Sequence, residues 1–246
     1  MKGRSHRELR WPLFLMRRIN PVLEAVSDNL LPSARLHGRE TVYQGIVHRE
    51  LARLGIDRPL YPVRSAATYS YLYLLLRICT ELPVRRMLEL GAGQSTLVLD
   101  DLAARGSLEV TTLEHDSDWA EHVGARCKHA RITHAPLVRR RIRGRQAETY
   151  DAGEGVVGPF DVLLVDGPRG RRRHSRRAAL EFIEGRLGDE FVIVFDDAER
   201  RGELDTIAEA LKLLDARGTD YSTTLVRSVN SQFVIATRGM RAASFF

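Results

Sequence analysis

The sequence predicts an α/β protein: a seven-stranded, mainly parallel sheet with helices on both faces, an antiparallel closing strand pair and an N-terminal helical extension. Three observations lead to it. From Val84 onward, short apolar stretches of strand character alternate with stretches of helical period, the order that builds a parallel sheet. Two strands, in PFDVLLVDG and EFVIVFDD, have continuous apolar centres, as expected when helices cover both faces. The last two strands, YSTTLVRSV and SQFVIATRG, are separated only by a short turn near Asn230, which pairs them antiparallel.

Residues 1–60 read as a basic, helical extension to a domain spanning residues 61–246. Pro12 and Pro21 interrupt the first part, where Trp11, Leu13, Phe14 and Met16 lie between Arg10 and the Arg17–Arg18 pair. That mixture fits short helices packed on the domain, or a peripheral contact with a membrane surface. TVYQGIVHRELARLG has a clearer helical period and stops at Gly55. AATYSYLYLLL is the longest apolar stretch, too short for the roughly 20 residues of a membrane span, and reads as a buried helix.

VRRMLEL is the first strand, STLVLDDLAARG a helix ending at Gly106, and LEVTTLEHD the second strand. DSDWAEHVGARC is a helix with Asp118 and Glu121 at capping-box spacing and Trp119, Val123 and Cys127 on one face. RITHAPLV is a short third strand, and an Arg- and Gly-rich connection leads to PFDVLLVDG, the fourth. SRRAALEFIEGRL is helical and EFVIVFDD is the fifth strand. ELDTIAEALKLLDARG is an amphipathic helix with Leu204, Ile207, Ala208, Leu211 and Leu214 in phase.

Of 246 residues, 43% are apolar, enough for a core and too many for a disordered chain. Cys79 and Cys127 cannot form a disulfide framework and read as buried thiols, which favours the cytoplasm, with residence at the inner face of the membrane left open by the N-terminal segment. The net charge of +6 is clustered. One cluster is Arg139, Arg140, Arg141, Arg143 and Arg145; another runs from Arg169 through Arg171, Arg172 and Arg173 to Arg176 and Arg177. Such clusters suit anionic partners, or form a solvated face.

In an open α/β sheet, ligands bind beyond the carboxyl ends of the strands. In MLELGAGQST the chain makes a turn there, where Gly91 and Gly93 leave the backbone open to close approach and the next helix points free N–H groups outward. About 20 residues later Glu114 ends the second strand, where a carboxylate can accept hydrogen bonds from ribose hydroxyls. Thr96 stands where a dinucleotide site has its third glycine, and Glu89 precedes the turn, where an acid suits a ligand carrying an ammonium group.

LELGAGQST followed by TLEHD resembles the first two motifs of the class I, Rossmann-like, S-adenosylmethionine-dependent methyltransferases; FDVLLVDGP is similar to their fourth motif and FVIVFDDAER to the strand after it. The resemblance runs from Val84 to Arg238. It implies that Glu89, Gly91, Ala92, Gly93, Gln94, Ser95 and Thr96 hold the methionine end of S-adenosylmethionine, with Asp166 adjoining, and that Glu114 holds the ribose beside His115. The acid that often contacts the adenine is missing from THAPL, leaving His134 or a backbone group for that task.

The methyl acceptor must lie near the ends of strands four and five, where Asp166, Asp196 and Asp197 stand. Three converging carboxylates fit Mg2+, which would bind substrate oxygens and acidify a hydroxyl. This arrangement resembles the metal-dependent small-molecule and sugar O-methyltransferases, with Asp166 and Asp196 in catalytic positions and Asp166, Asp196 and Asp197 as ligands. Nearby arginines could neutralise the acids equally well, and His174 is a candidate general base. No NPPY-like segment follows strand four, which disfavours methylation of a base or glutamine nitrogen. The expectation is O-methylation of a sugar, glycan intermediate or other polar, anionic small molecule. RNA methylation is disfavoured because aromatics do not interleave with the arginines, and a non-catalytic binding module is the remaining alternative.

Overall fold

The computed structural model describes residues 33–62, 66–106, 108–169 and 173–246. The segment around Trp11 with its flanking arginines, and Arg171 and Arg172, lie outside the described residues. The elements are α1 (Ser33–Arg53), α2 (Tyr69–Glu81), β1 (Arg86–Leu90), α3 (Gln94–Ala103), β2 (Glu109–Glu114), α4 (Ser117–Gly124), β3 (Arg131–His134), β4 (Leu137–Ile142), β5 (Arg145–Tyr150), β6 (Phe160–Val165), α5 (Ala179–Gly185), β7 (Leu187–Phe195), α6 (Arg201–Ala216), β8 (Tyr221–Val226) and β9 (Gln232–Thr237).

Seven strands form one Rossmann-like sheet in the order β3-β2-β1-β6-β7-β9-β8. The first five of that order run parallel, and β9 pairs antiparallel with both β7 and β8. The chain leaves β1 toward β2 and β3, then returns to the other side of β1 with β6, so the crevice beyond Leu90 and Val165 is the switch point. Helices α1, α2 and α3 cover one face, with Val47, Leu51, Tyr71, Leu75 and Leu99 in its core; α5, α6 and the β4–β5 hairpin cover the other, around Leu163, Ile193, Ile183 and Ile207. The buried helix expected in AATYSYLYLLL is α2, capped by the Thr68 hydroxyl. No helix of the described residues is long and apolar enough to cross a membrane.

Three local expectations are corrected. The arginine-rich connection after β3 is a hairpin, β4–β5, whose two-residue turn puts Arg143 (φ 44°) and Gly144 (φ 81°) in the left-handed region, the geometry that joins two twisted antiparallel strands. In α4 the cap is Asp116, which accepts from the Trp119 N–H at 2.9 Å, and the expected common face splits, with Val123 buried and Trp119 45% exposed. In α6, Ala208 faces solvent, while Thr206, Ile207, Ala210, Leu213 and Leu214 are buried. The first turn of α6 is pressed onto the connection between β6 and α5: a Cβ on Gly202 would sit 1.9 Å from the Arg173 carbonyl oxygen, so the helix rolls toward its small residue.

The second arginine cluster is not a uniform surface. Arg176 and Arg177 are buried, whereas Arg169 and Arg173 face solvent. Arg177 spans from the turn before α5 to the hairpin turn, donating from Nε to the Ile142 carbonyl (3.0 Å) and from Nη2 to the Arg143 carbonyl (3.1 Å). Burial lowers its pKa, opposed by Glu209, and the two carbonyls satisfy the guanidinium instead of water. Arg177→Met is expected to cost roughly 2–4 kcal/mol of stability, from two charge-assisted hydrogen bonds, read by urea unfolding, and to speed amide exchange in β4 and β5 selectively.

Candidate functional site

The glycine turn sits in the crevice because two backbones meet there without side chains. Gly91 (φ 97°) lies against Gly167: a Cβ on Gly91 would stand 2.9 Å from the Gly167 Cα, and one on Gly167 would stand 2.7 Å from the Gly91 Cα. The strands hold this approach, with Gly91 N–H donating to Leu113 O (2.8 Å) and Asp166 N–H to Leu90 O (3.1 Å). Around Gly93, by contrast, a Cβ would meet no atom within 4 Å. The turn therefore leaves an open cradle at the N-terminus of α3, whose first N–H groups have no intrahelical partner.

Glu89 anchors that cradle from below. Its carboxylate is fully buried and accepts hydrogen bonds from Ser95 Oγ (2.6 Å), Thr96 Oγ1 (2.7 Å) and Thr112 Oγ1 (2.8 Å). Thr96 Oγ1 in turn accepts from the Gly93 N–H at 2.9 Å. Burial pushes the Glu89 pKa up to about 6, and the three hydroxyls pull against that rise. The residue expected to meet the ammonium end of a ligand is thus bonded to the protein, tying β1, β2 and the first turn of α3 together.

Glu114 ends β2 and turns back to the glycine loop. Its Oε2 accepts from Ala92 N–H (2.8 Å), and its Oε1 from the N–H groups of His115 (2.8 Å) and Asp116 (2.9 Å). The His115 ring nitrogen lies 2.7 Å from the same carboxylate. Trp119 closes the other side of the loop, donating from Nε1 to the Ala92 carbonyl at 2.8 Å and stacking on His122. Gln94 accepts from Tyr61 N–H (2.6 Å) through Oε1, while its Nε2 is buried with no partner among the described residues. His134, at the end of β3, is exposed.

The three aspartates come together as expected. Oxygens of Asp166, after β6, and of Asp196 and Asp197, after β7, lie within 4.8 Å of one another. Arg176 reaches into this cluster with its side chain 3% exposed. Its Nη2 donates to Asp166 Oδ1 (3.1 Å) and Asp197 Oδ2 (2.8 Å), and its Nη1 to the Asp196 carbonyl (2.9 Å). Gln232 Nε2 donates to Asp196 Oδ1 (2.7 Å), and Asn230 Nδ2 to Asp197 Oδ1 (2.8 Å). The charge of the donor set suits a divalent ion, but the guanidinium bridges two of the three carboxylates, so a metal does not fit with Arg176 in place. Arg176, part of a cluster that the sequence suits to anionic partners or a solvated face, clamps the protein's own acids. Burial raises the pKa of Asp166 well above the carboxylate range, against the pull of Arg176, and takes Asp196 to about 6.

His174 keeps other company. Its nearest charges are Arg145 on the hairpin, Arg173, Arg177 and Asp205, and burial with the arginines lowers its pKa. Two tyrosines supply what the sequence did not signal. Tyr71 on α2 is fully buried, its hydroxyl has no hydrogen-bond partner among the described residues, and its main electrostatic neighbours are Asp166, Glu89 and Asp196. Tyr150, at the end of β5, has an equally unpartnered buried hydroxyl beside Gly167, in the field of Glu114 and Asp166.

Residues 88–198, from β1 to just beyond β7, match the family model described as "Methyltransferase domain". That stretch, 111 of the 246 residues, is similar to a methyltransferase domain. Solved structures with a similar chain path include precorrin-6y C5,15-methyltransferase from Geobacter metallireducens (17% identity, 67% of this chain and 85% of that one, TM-score 0.41). They also include a TehB-like SAM-dependent methyltransferase from Corynebacterium glutamicum (15%, 82% and 99%, 0.45) and the S-adenosylhomocysteine-bound methyltransferase PaMTH1 from Podospora anserina (13%, 78% and 87%, 0.45). No curated protein matches this chain.

Trp119 was not singled out from the sequence because its helical phase matches that of Val123; a tryptophan in the first turn of the helix after Glu114 was the available signal. Tyr150 escaped because the hairpin carrying it was read as a loop. The buried Glu89 yields a checkable pH dependence. Its folded pKa of about 6 exceeds its ordinary value of 4.5, so its contribution to stability is full below the unfolded value and lost as pH rises through about 6. Urea unfolding of wild type, relative to Glu89→Gln, should lose about 2 kcal/mol between roughly pH 4 and pH 8.

Proposed function

We propose that this domain transfers a methyl group from S-adenosylmethionine to a hydroxyl oxygen of a polar, anionic small molecule or glycan intermediate. The observation that carries the reading is the junction of the open cradle at Gly93 with the half-buried Asp166, across the contact between Gly91 and Gly167. S-adenosylmethionine, when bound, supplies a methyl group already activated on a sulfonium.

The chain's residues fit that ligand. The Gly91–Gly93 backbone and the first turn of α3 offer N–H groups and space, and the unpartnered Nε2 of Gln94 is available to a carboxylate. A carboxylate has about four lone-pair positions, and Glu114 spends three on main-chain N–H groups, leaving room for a ribose hydroxyl. Trp119 provides a flat apolar wall at the edge of the same loop.

Asp166 is the residue best placed to receive the acceptor's proton. It lies at the switch point with its side chain 24% exposed, so an acceptor can reach it, and burial gives it a higher proton affinity than a surface aspartate. Arg176 holds it in one orientation. The buried Tyr71 hydroxyl, whose field includes Asp166, is a second group that can orient an acceptor oxygen. The anionic character of the acceptor rests on the exposed arginines of β4 and β5, whose Arg145 acts on His174 in the loop between β6 and α5. Oxygen rather than nitrogen rests on the VDGP segment at Val165–Pro168, in place of the residues that grip a planar amine.

Two outcomes test this. Calorimetric titration with S-adenosylhomocysteine should show binding that Glu114→Ala weakens at least tenfold. Gly93→Val, whose side chain meets only the open cradle, should abolish that binding while leaving the melting temperature unchanged; retained binding would place the ligand elsewhere. Of the two tryptophans, Trp119 adjoins the loop. Intrinsic fluorescence should therefore change on adding S-adenosylhomocysteine, and Trp119→Phe should remove the change.

A further inference from the structure

The acid cluster at the ends of β6 and β7 brings its own cation. Asp166, half-buried, and Asp196 and Asp197, both buried, bring carboxylate oxygens within 4.8 Å of one another, and carboxylates so close cannot all ionise without a compensating charge. Arg176 meets the whole cluster. Nη2 bridges Asp166 and Asp197, Nη1 is bonded to the Asp196 carbonyl, and Nε lies 3.5 Å from Glu203 on α6. Every nitrogen of the planar fork is aimed at this one end of the sheet, a geometry a flexible surface arginine does not hold.

The surrounding groups leave the carboxylate oxygens little freedom to turn toward another ion. Asp197 receives Asn230 on Oδ1, and both Arg176 and Arg200 (2.6 Å) on Oδ2. Asp197 itself sits at φ 55°, in the left-handed region that asparagine and aspartate adopt more readily than other side chains. Asp196 is held by Gln232, whose Nε2 also lies 3.4 Å from the capping hydroxyl of Thr68 before α2. A divalent ion demands carboxylate oxygens at about 2.0–2.6 Å; here both oxygens of Asp197 and one each of Asp166 and Asp196 already accept N–H donors, directly beside a positive guanidinium.

We propose that Arg176 is the resident cation of this site, standing where the resemblance to metal-dependent O-methyltransferases places a divalent ion, and that the site works without one. This goes beyond the cofactor reading and stands apart from it, because metal binding is read without methyl transfer. Arg176 thereby acts as a positioning residue, holding Asp166 and Asp197 at the crevice.

Mn2+ titration followed by electron paramagnetic resonance tests it. Wild type should leave Mn2+ free up to millimolar concentration, with or without S-adenosylhomocysteine, and Arg176→Lys, which keeps a charge in place, should do the same. Arg176→Leu should gain a Mn2+ site at least tenfold tighter, lost again on adding Asp197→Asn. Micromolar Mn2+ binding by wild type that Asp197→Asn abolishes would overturn the proposal, as would a folded Arg176→Leu that gains no metal. If Arg176→Leu does not fold, the wild-type and Arg176→Lys titrations decide it alone. S-adenosylhomocysteine binding, measured on the same samples, reports separately on the cofactor reading.

Discussion

The switch-point edge of this sheet depends on one buried carboxylate. Glu89 is sealed from water, and an unpaired charge there would cost several kilocalories per mole, so the fold must bring it donors. It brings three hydroxyls, two from the first turn of α3 and one from the neighbouring strand β2. The same bonds that satisfy the acid set the angle at which α3 leaves the glycine turn. Thr96 passes the constraint on to the Gly93 N–H, and Glu114 grips the next N–H at Ala92. A turn made of small residues, floppy by itself, becomes a preorganised cradle because acids from two strands hold its backbone.

A second charged assembly, built on the opposite principle, completes the crevice. At Glu89 neutral hydroxyls suffice for one acid. At the ends of β6 and β7 three acids crowd together, and only a cation can hold them: Arg176 supplies it. The long side chain reaches from the turn before α5 because its neighbour Arg177 runs the other way, to the hairpin carbonyls. Two adjacent arginines thus stitch separate parts of one face, one to the acid cluster and one to β4–β5. Burying a guanidinium is tolerated where each nitrogen finds an oxygen, and both arginines meet that condition in large part.

The hairpin joins these assemblies to recognition. It replaces a simple crossover between β3 and β6 and presents exposed arginines at its tip while delivering Tyr150 at its base. Tyr150 ends beside Gly167 and Tyr71 lies across the crevice near Asp166, so two unpartnered hydroxyls face the zone between cradle and acids. Buried hydroxyls without partners are uncommon, and here two lie beside one crevice.

Sequence by itself determined the order of strands and helices, the antiparallel closure, the glycine turn, and the acids at the strand ends. Each of these is a local pattern: an apolar run, a period, a turn dipeptide or a residue at a strand end, read within a few neighbours. The hairpin was legible in principle, in the Arg143–Gly144 turn, but five arginines hid the alternation of Ile142, Ala147 and Thr149. What only the tertiary structure decided is which charge answers which. Arg176 and Arg177 are neighbours in a run of basic residues that looks solvated, yet their partners lie 10, 21 and 35 positions away. Whether a charged side chain is buried depends on oxygens that arrive only when the chain folds back, so composition assigned these residues to a surface and packing placed them inside.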